Sequence, residues 1–143
     1  MSSYEEYERA CNEIMKQNQA LLSGFEASLT AAGLSKKTIQ NHMNNADLYI
    51  NDFLLREDAV PPEEGLGFLD SFFTFFIHKC MWSTPATVKS TAASLKKLYK
   101  YMMEQRKISK DDYQEFAEEL KEGVPFWQSE CADFNDDDDD EWW

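Results

Sequence analysis

The sequence predicts an all-α fold, and three observations carry that prediction. Glycine and proline are scarce, at five and four of 143 residues. Runs of β-branched residues of the strand type are absent, and apolar residues recur every three or four positions, the period of a helix that buries one face. With 43% hydrophobic and 14% aromatic residues, the chain can bury a core of its own, and one compact bundle of about five helices is expected.

The elements follow in order. From Tyr4 to Leu29 the positions Tyr7, Cys11, Ile14, Met15, Leu21, Leu22, Phe25 and Leu29 keep a helical period, interrupted around Lys16–Gln19, so one long helix or two short ones precede a stop at Gly33. Ser35 suits an N-cap, since its hydroxyl can accept from a free first-turn amide; Ile39, Met43, Ala46, Ile50, Phe53 and Leu54 then form one stripe. The opposite face is Lys36, Lys37, Gln40, Asn41, Asn44, Asn45 and Asn51, rich in a residue of mediocre helix propensity. Residues 57–67, with Pro61-Pro62, read as a loop. A third helix through Phe68, Phe72, Phe73, Phe75, Phe76, Ile77, Met81 and Trp82 is apolar nearly all round, and is expected to lie buried at the centre. Thr84 and Pro85 open a fourth helix with Val88, Ala92, Leu95, Tyr99 and Met102 inward. Ser109 caps a fifth, which Gly123 and Pro125 should end. The division expected is a helical domain over 1–129 and an acidic tail over 130–143, with one or two turns around Phe126, Trp127, Cys131 and Phe134 docking before the aspartate run.

Charge is distributed unevenly. The formal net charge is -13, and the last fourteen residues hold eight acids and no base. In contrast, no acid occurs between Asp70 and Glu104, where Lys79, Lys89, Lys96, Lys97 and Lys100 stand. Four of these lysines lie on the outer face of the fourth helix, and this basic segment in an acidic chain is the strongest functional signal. The two charge clusters also suggest self-inhibition, with Asp136 to Asp140 folding back over the lysines, against the plainer reading of a solvated tail.

Chemistry-bearing motifs are few. His42 and His78 stand on different predicted helices without acids at metal-ligand spacing, and Cys11, Cys80 and Cys131 show no C-x-x-C pattern, so no metal, no cofactor and free, mostly buried thiols are expected. There is no glycine-rich phosphate loop, nucleophile elbow or Cys-His signature, and Asp136 to Asp140 lacks the glycine and closing glutamate of a calcium loop. No catalytic residue is assigned and an enzyme is not expected. The N-terminal residues lack a basic start and apolar stretch, and no window is apolar enough to span a bilayer, which predicts a cytoplasmic protein without membrane association.

The stretches Leu34-Ser35-Lys36-Lys37-Thr38-Ile39 and Thr84-Pro85-Ala86-Thr87-Val88 through Leu95-Lys96-Lys97-Leu98-Tyr99-Lys100-Tyr101 resemble the SAM-like core-binding domain of tyrosine recombinases, the phage integrase family, over roughly residues 20–107. That resemblance implies a helical bundle that clamps DNA from one side, without the separate catalytic domain. By position it implies DNA contacts from Lys36, Lys37, Thr38, Thr87, Lys89, Lys96 and Lys97. The charge pattern and the polar face of the second helix add Lys100 and Asn41. The chain departs from the pattern in its three arginines, Arg9, Arg56 and Arg106, which leave the basic segment with none for reading guanine, and in its extra acidic C-terminus. Two functions are therefore carried forward: a non-catalytic module for double-stranded DNA, and an acidic interaction or regulatory module that engages a protein partner, in part through the tail.

Overall fold

The computed structural model describes residues 3–140, with side chains as far as Asp136. Trp142 and Trp143 lie outside the described residues. Among the described residues every element is helical and there is no strand: α1 (Ser3–Ala31), α2 (Lys36–Asp47), a π-helical segment (Leu48–Phe53) that continues it, a 3-10 segment (Pro62–Gly67), α3 (Leu69–Lys79), α4 (Pro85–Glu104) and α5 (Lys110–Asp140).

The α1 helix is continuous, and Asn18, in the stretch where the hydrophobic period weakens, explains why. It is buried at 1% exposure, and its Nδ2 donates to the Ile50 carbonyl at 3.3 Å and to Asn51 Oδ1 at 2.8 Å. Tyr7 donates to the Leu55 carbonyl and lies 3.1 Å from that of Arg56. Thus α1 supplies donors to carbonyls at and beyond the π-helical segment, where the α-helical ladder is interrupted. Gly33 ends α1 as expected: at φ +81° it lets Leu34 N–H reach the Leu29 carbonyl and its own N–H reach that of Thr30, a left-handed closure that a side chain would strain.

Residues 62–67 are more ordered than a loop. Pro62 starts a 3-10 turn, and two buried phenols hold it: Tyr49 donates to the Gly65 carbonyl at 2.5 Å and Tyr99 to the Pro62 carbonyl at 2.8 Å. Burial raises both phenol pKa values, keeping them neutral donors.

The third helix differs from its expected place and length. It buries one face, with Leu69, Phe72, Phe73, Phe76 and Ile77, and ends at Lys79 because Cys80 is extended (φ -97°, ψ 114°). Met81 and Trp82 are consequently exposed rather than core, at 99% and 56%. Instead α4 is the central helix. It buries Val88, Leu95, Leu98, Tyr99 and Met102 and packs against α2 on one side and α5 on the other.

The fifth helix runs past Gly123 and Pro125 to Asp140, crossing residue 129 without a break. An interior proline costs about 3 kcal/mol, and tertiary anchors downstream offset it. The Trp127 indole stacks on Phe73 at 4.2 Å and donates to Asp70 Oδ1 at 3.2 Å. Gln128 and Asn135 donate to the carbonyls of Pro85 and Ser83, and Cys131 is fully buried. All three thiols are free, with Cys80 and Cys131 buried and Cys11 partly so.

Candidate nucleic-acid interface

Helices α2 and α4 run antiparallel. His42 and Asn45 meet Ser94, while Leu48 and Asp52 face Trp82 and Thr87 across a groove. The starts of the two helices, which the family resemblance brings to one DNA face, therefore lie at opposite ends of this seam. Lys36 and Lys37 begin α2 toward the end where Lys97 sits. Thr87 is ten residues from Lys97, about 15 Å along the helix.

Both threonines assigned to DNA contact are occupied by capping. Thr38 N–H donates to Ser35 Oγ at 3.2 Å, and the two hydroxyls are 3.0 Å apart. Thr87 forms a capping box with Thr84, each backbone N–H meeting the other side chain at 3.1 and 2.8 Å, and its hydroxyl also lies 3.1 Å from the Trp82 carbonyl. Asn41 lines the α2–α4 groove beside Asp47 and Asp52, surroundings that disfavour phosphate. The neighbouring amides are mutually engaged, Gln40 with Asn44 and Asn51 with Asp47, which explains how so many asparagines are accommodated on one helix.

The lysines are placed differently. Lys89, Lys96 and Lys100, at spacings of seven and four, share one exposed stripe of α4. On α5 the positions Lys110, Gln114, Lys121 and Gln128 repeat at the same spacings, and Gln128 bonds Pro85 of α4, so this stripe flanks the α4–α5 seam. Tyr99 against Phe116, 4.3 Å between ring centroids, fixes the antiparallel register and sets Lys121 beside the stretch of α4 between Lys89 and Lys96. Sequence reasoning passed over Lys110 and Lys121 because acids surround them in the chain; only the helical spacing of Lys110, Lys121 and Gln128, eleven and then seven residues, signals the shared stripe. None of Lys36, Lys37, Lys89, Lys96, Lys97, Lys100, Lys110 and Lys121 closes an ion pair within 4 Å with a described carboxylate.

The described start of the aspartate run lies beyond the Lys89 end of this stripe. Asn135 bonds Ser83, ahead of the α4 N-terminus, so Asp136 lies beyond that end, about 20 Å along the bundle from Lys96 at 1.5 Å per residue. Folding back over Lys96, Lys97 and Lys100 would require the end of α5 to detach, and its anchors through Asn135 and Cys131 oppose that.

Lys97 has a second effect. His42, nearly buried, has its Nδ1 2.7 Å from Ser94 Oγ, which also accepts from Asn45 at 2.9 Å and lies 3.1 Å from the Ser90 carbonyl. Burial first, and the Lys97 charge second, lower the imidazole pKa. A histidine lowered in the fold is neutral there while the unfolded chain still takes up protons, so stability should fall as pH drops below about 6.5. The expected result is that the melting temperature of His42→Gln declines less between pH 7.5 and 5.5 than that of the parent; equal declines would show that His42 does not contribute.

Among the described residues no three His, Cys, Asp or Glu side chains gather as metal ligands, and no helix is long and apolar enough to cross a membrane. Comparison with protein-family models, with curated proteins and with solved structures finds no match to this chain.

Proposed function

We propose that this chain is a non-catalytic, cytoplasmic DNA-binding module that holds the duplex backbone with a lysine band crossing α2, α4 and α5. The single observation that supports this reading is the pair of lysine stripes beside the α4–α5 seam, with Lys89, Lys96, Lys100, Lys110 and Lys121 free of described ion pairs in a protein of net charge -13. Unpaired ammonium groups along neighbouring helices suit a row of phosphates, and the integrase-like pattern of α2 and α4 agrees in kind. Lys36, Lys37 and Lys97 extend the band toward the start of α2. Thr38, Thr87 and Asn41 are left to structural roles. Such binding is electrostatic and sequence-tolerant, because phosphate contacts carry no base information.

Anisotropy titration of a labelled 20-base-pair duplex tests the reading. With four to six phosphate contacts, affinity should fall by about a hundredfold or more between 50 and 200 mM salt. Charge reversal of Lys89, Lys96 and Lys100 to Glu should abolish binding to every sequence tried. Absence of binding at low salt, or a triple variant that binds as the parent does, would overturn it.

A further inference from the structure

The groove between α2 and the start of α4 has the opposite character to the lysine band. It encloses about 530 Å³, and its lining includes Asn41, Asn44, Asp47, Asp52, Trp82 and Thr91 but no lysine or arginine. Asp52 is paired only with Arg56, at an exposed 3.4 Å, and Asp47 has no cation partner among the described residues, so the groove favours a cation over phosphate and is not part of a DNA surface.

Three features give it the form of a binding site. Thr91 is only 1% exposed, yet its hydroxyl has no hydrogen-bond partner among the described residues. Among the described residues no side-chain polar atom is sealed away without a partner, so that hydroxyl keeps a sliver of exposure where its residue lines the groove, enough to bond an occupant. Trp82 stands at the rim, 56% exposed, held edge-on to Phe76 at 6.3 Å and through its carbonyl near the Thr87 hydroxyl. The wall bearing Leu48 and Asp52 is the π-helical segment, a distortion that recurs at functional sites.

We infer that the groove receives an arginine side chain from a basic peptide segment of a protein partner. A guanidinium is planar, always charged and carries five donors, and it stacks on an indole face. The acceptors here are the Asp47 and Asp52 carboxylates, the Asn41 and Asn44 amide oxygens and the Thr91 hydroxyl. Asp47 already accepts from Asn51 at 2.7 Å, and Asp52 from Arg56 at an exposed 3.4 Å; each carboxylate keeps lone pairs for a second donor. The net charge of the chain would draw such a segment in from a distance. This inference stands apart from duplex binding, since it uses none of the lysines in that band.

The test uses the full chain and a labelled, acetylated peptide of glycine and serine carrying two arginines, beside the same peptide with citrulline in place of arginine, at physiological salt. Three variants address the groove: Asp47→Asn with Asp52→Asn, Trp82→Leu, and the shape-preserving Thr91→Val. Glu115→Gln with Glu118→Gln removes the same charge from the exposed face of α5. Melting curves check that each variant is folded. The expected result is saturable binding, weakened tenfold or more by each carboxylate or indole change and several-fold by Thr91→Val, with less than a twofold effect from the α5 variant and no binding of the citrulline peptide. Equal losses in the groove and α5 variants would reduce the effect to bulk attraction. Binding of citrulline as tightly as arginine would make the occupant a neutral ligand such as a polyol. Either outcome, or the absence of saturable binding, overturns the inference.

Discussion

Phe72→Ala is expected to destabilise the fold by about 3–5 kcal/mol, the range for deleting a buried phenylalanine ring. Phe72 is fully buried, with Tyr49 at 4.9 Å, Phe73 at 5.0 Å and Phe53 at 5.2 Å between ring centroids, all near edge-to-face. These rings come from α3 and from the π-helical segment, so the cavity would open between two elements whose backbones are held elsewhere. Collapse is further limited because Tyr49 is tied to the 3-10 turn through Gly65. Domains of this size hold about 5–15 kcal/mol in all, so the loss would take at least about a fifth of the stability and lower the melting temperature by about 10–15 °C. Phe72→Leu, which keeps most of the volume, should cost about 1 kcal/mol. Thermal unfolding followed by far-ultraviolet circular dichroism distinguishes them. A change under about 1 kcal/mol for the alanine variant would show that this cluster is not the centre of the core.

Gly123→Ala is expected to destabilise by about 2 kcal/mol, against its helix propensity. Alanine in place of glycine inside a helix ordinarily stabilises by about 1 kcal/mol. Here the new Cβ would lie 2.3 Å from the Trp127 ring, which folds back over the preceding turn. The indole cannot easily move aside, because it is 3% exposed, stacked on Phe73 and bonded to Asp70. Displacing it adds an overpacking cost of about 1–3 kcal/mol and forfeits the aromatic pair. The sign should reverse in a Trp127→Leu background, where the space is free and only the propensity gain remains. A stabilising Gly123→Ala in the parent chain would contradict the placement of Trp127.

Gly123 also shows where sequence reasoning stopped short. Glycine followed by proline is a breaker pair by local propensity, and the helix was expected to end there. The Trp127 ring, the Asp70 carboxylate and the Pro85 carbonyl, all distant in sequence from the breaker, keep α5 going. Trp82 fails in the opposite sense. Its indole looked like core because its neighbours are apolar, but Cys80 turns the backbone out to deliver Thr84 as the next cap, and exposure follows from direction rather than composition.

The candidate site divides along the same line. Lys89, Lys96, Lys97 and Lys100 were legible from the missing acids, since charge needs no fold to be counted, whereas Lys36 and Lys37 came from the resemblance and the polar face of the second helix. Thr38 and Thr87 were assigned to DNA by the resemblance, whereas capping is what occupies their hydroxyls. Lys110 and Lys121 were not legible as members of the band, because that depends on which side of α5 meets α4.

The all-helical class, the caps at Ser35 and Thr84 and the Gly33 stop were determined by the sequence alone. Each rests on interactions within about four residues: the helical period, side chains bonding first-turn amides, and one left-handed residue. Tertiary structure alone decided that α4 is central, that α5 continues past Pro125, that the π-helical segment finds donors in α1, and that a lysine band and a carboxylate-lined groove lie on different sides of one helix. Those outcomes depend on contacts between residues tens of positions apart, whose pairing no local preference encodes.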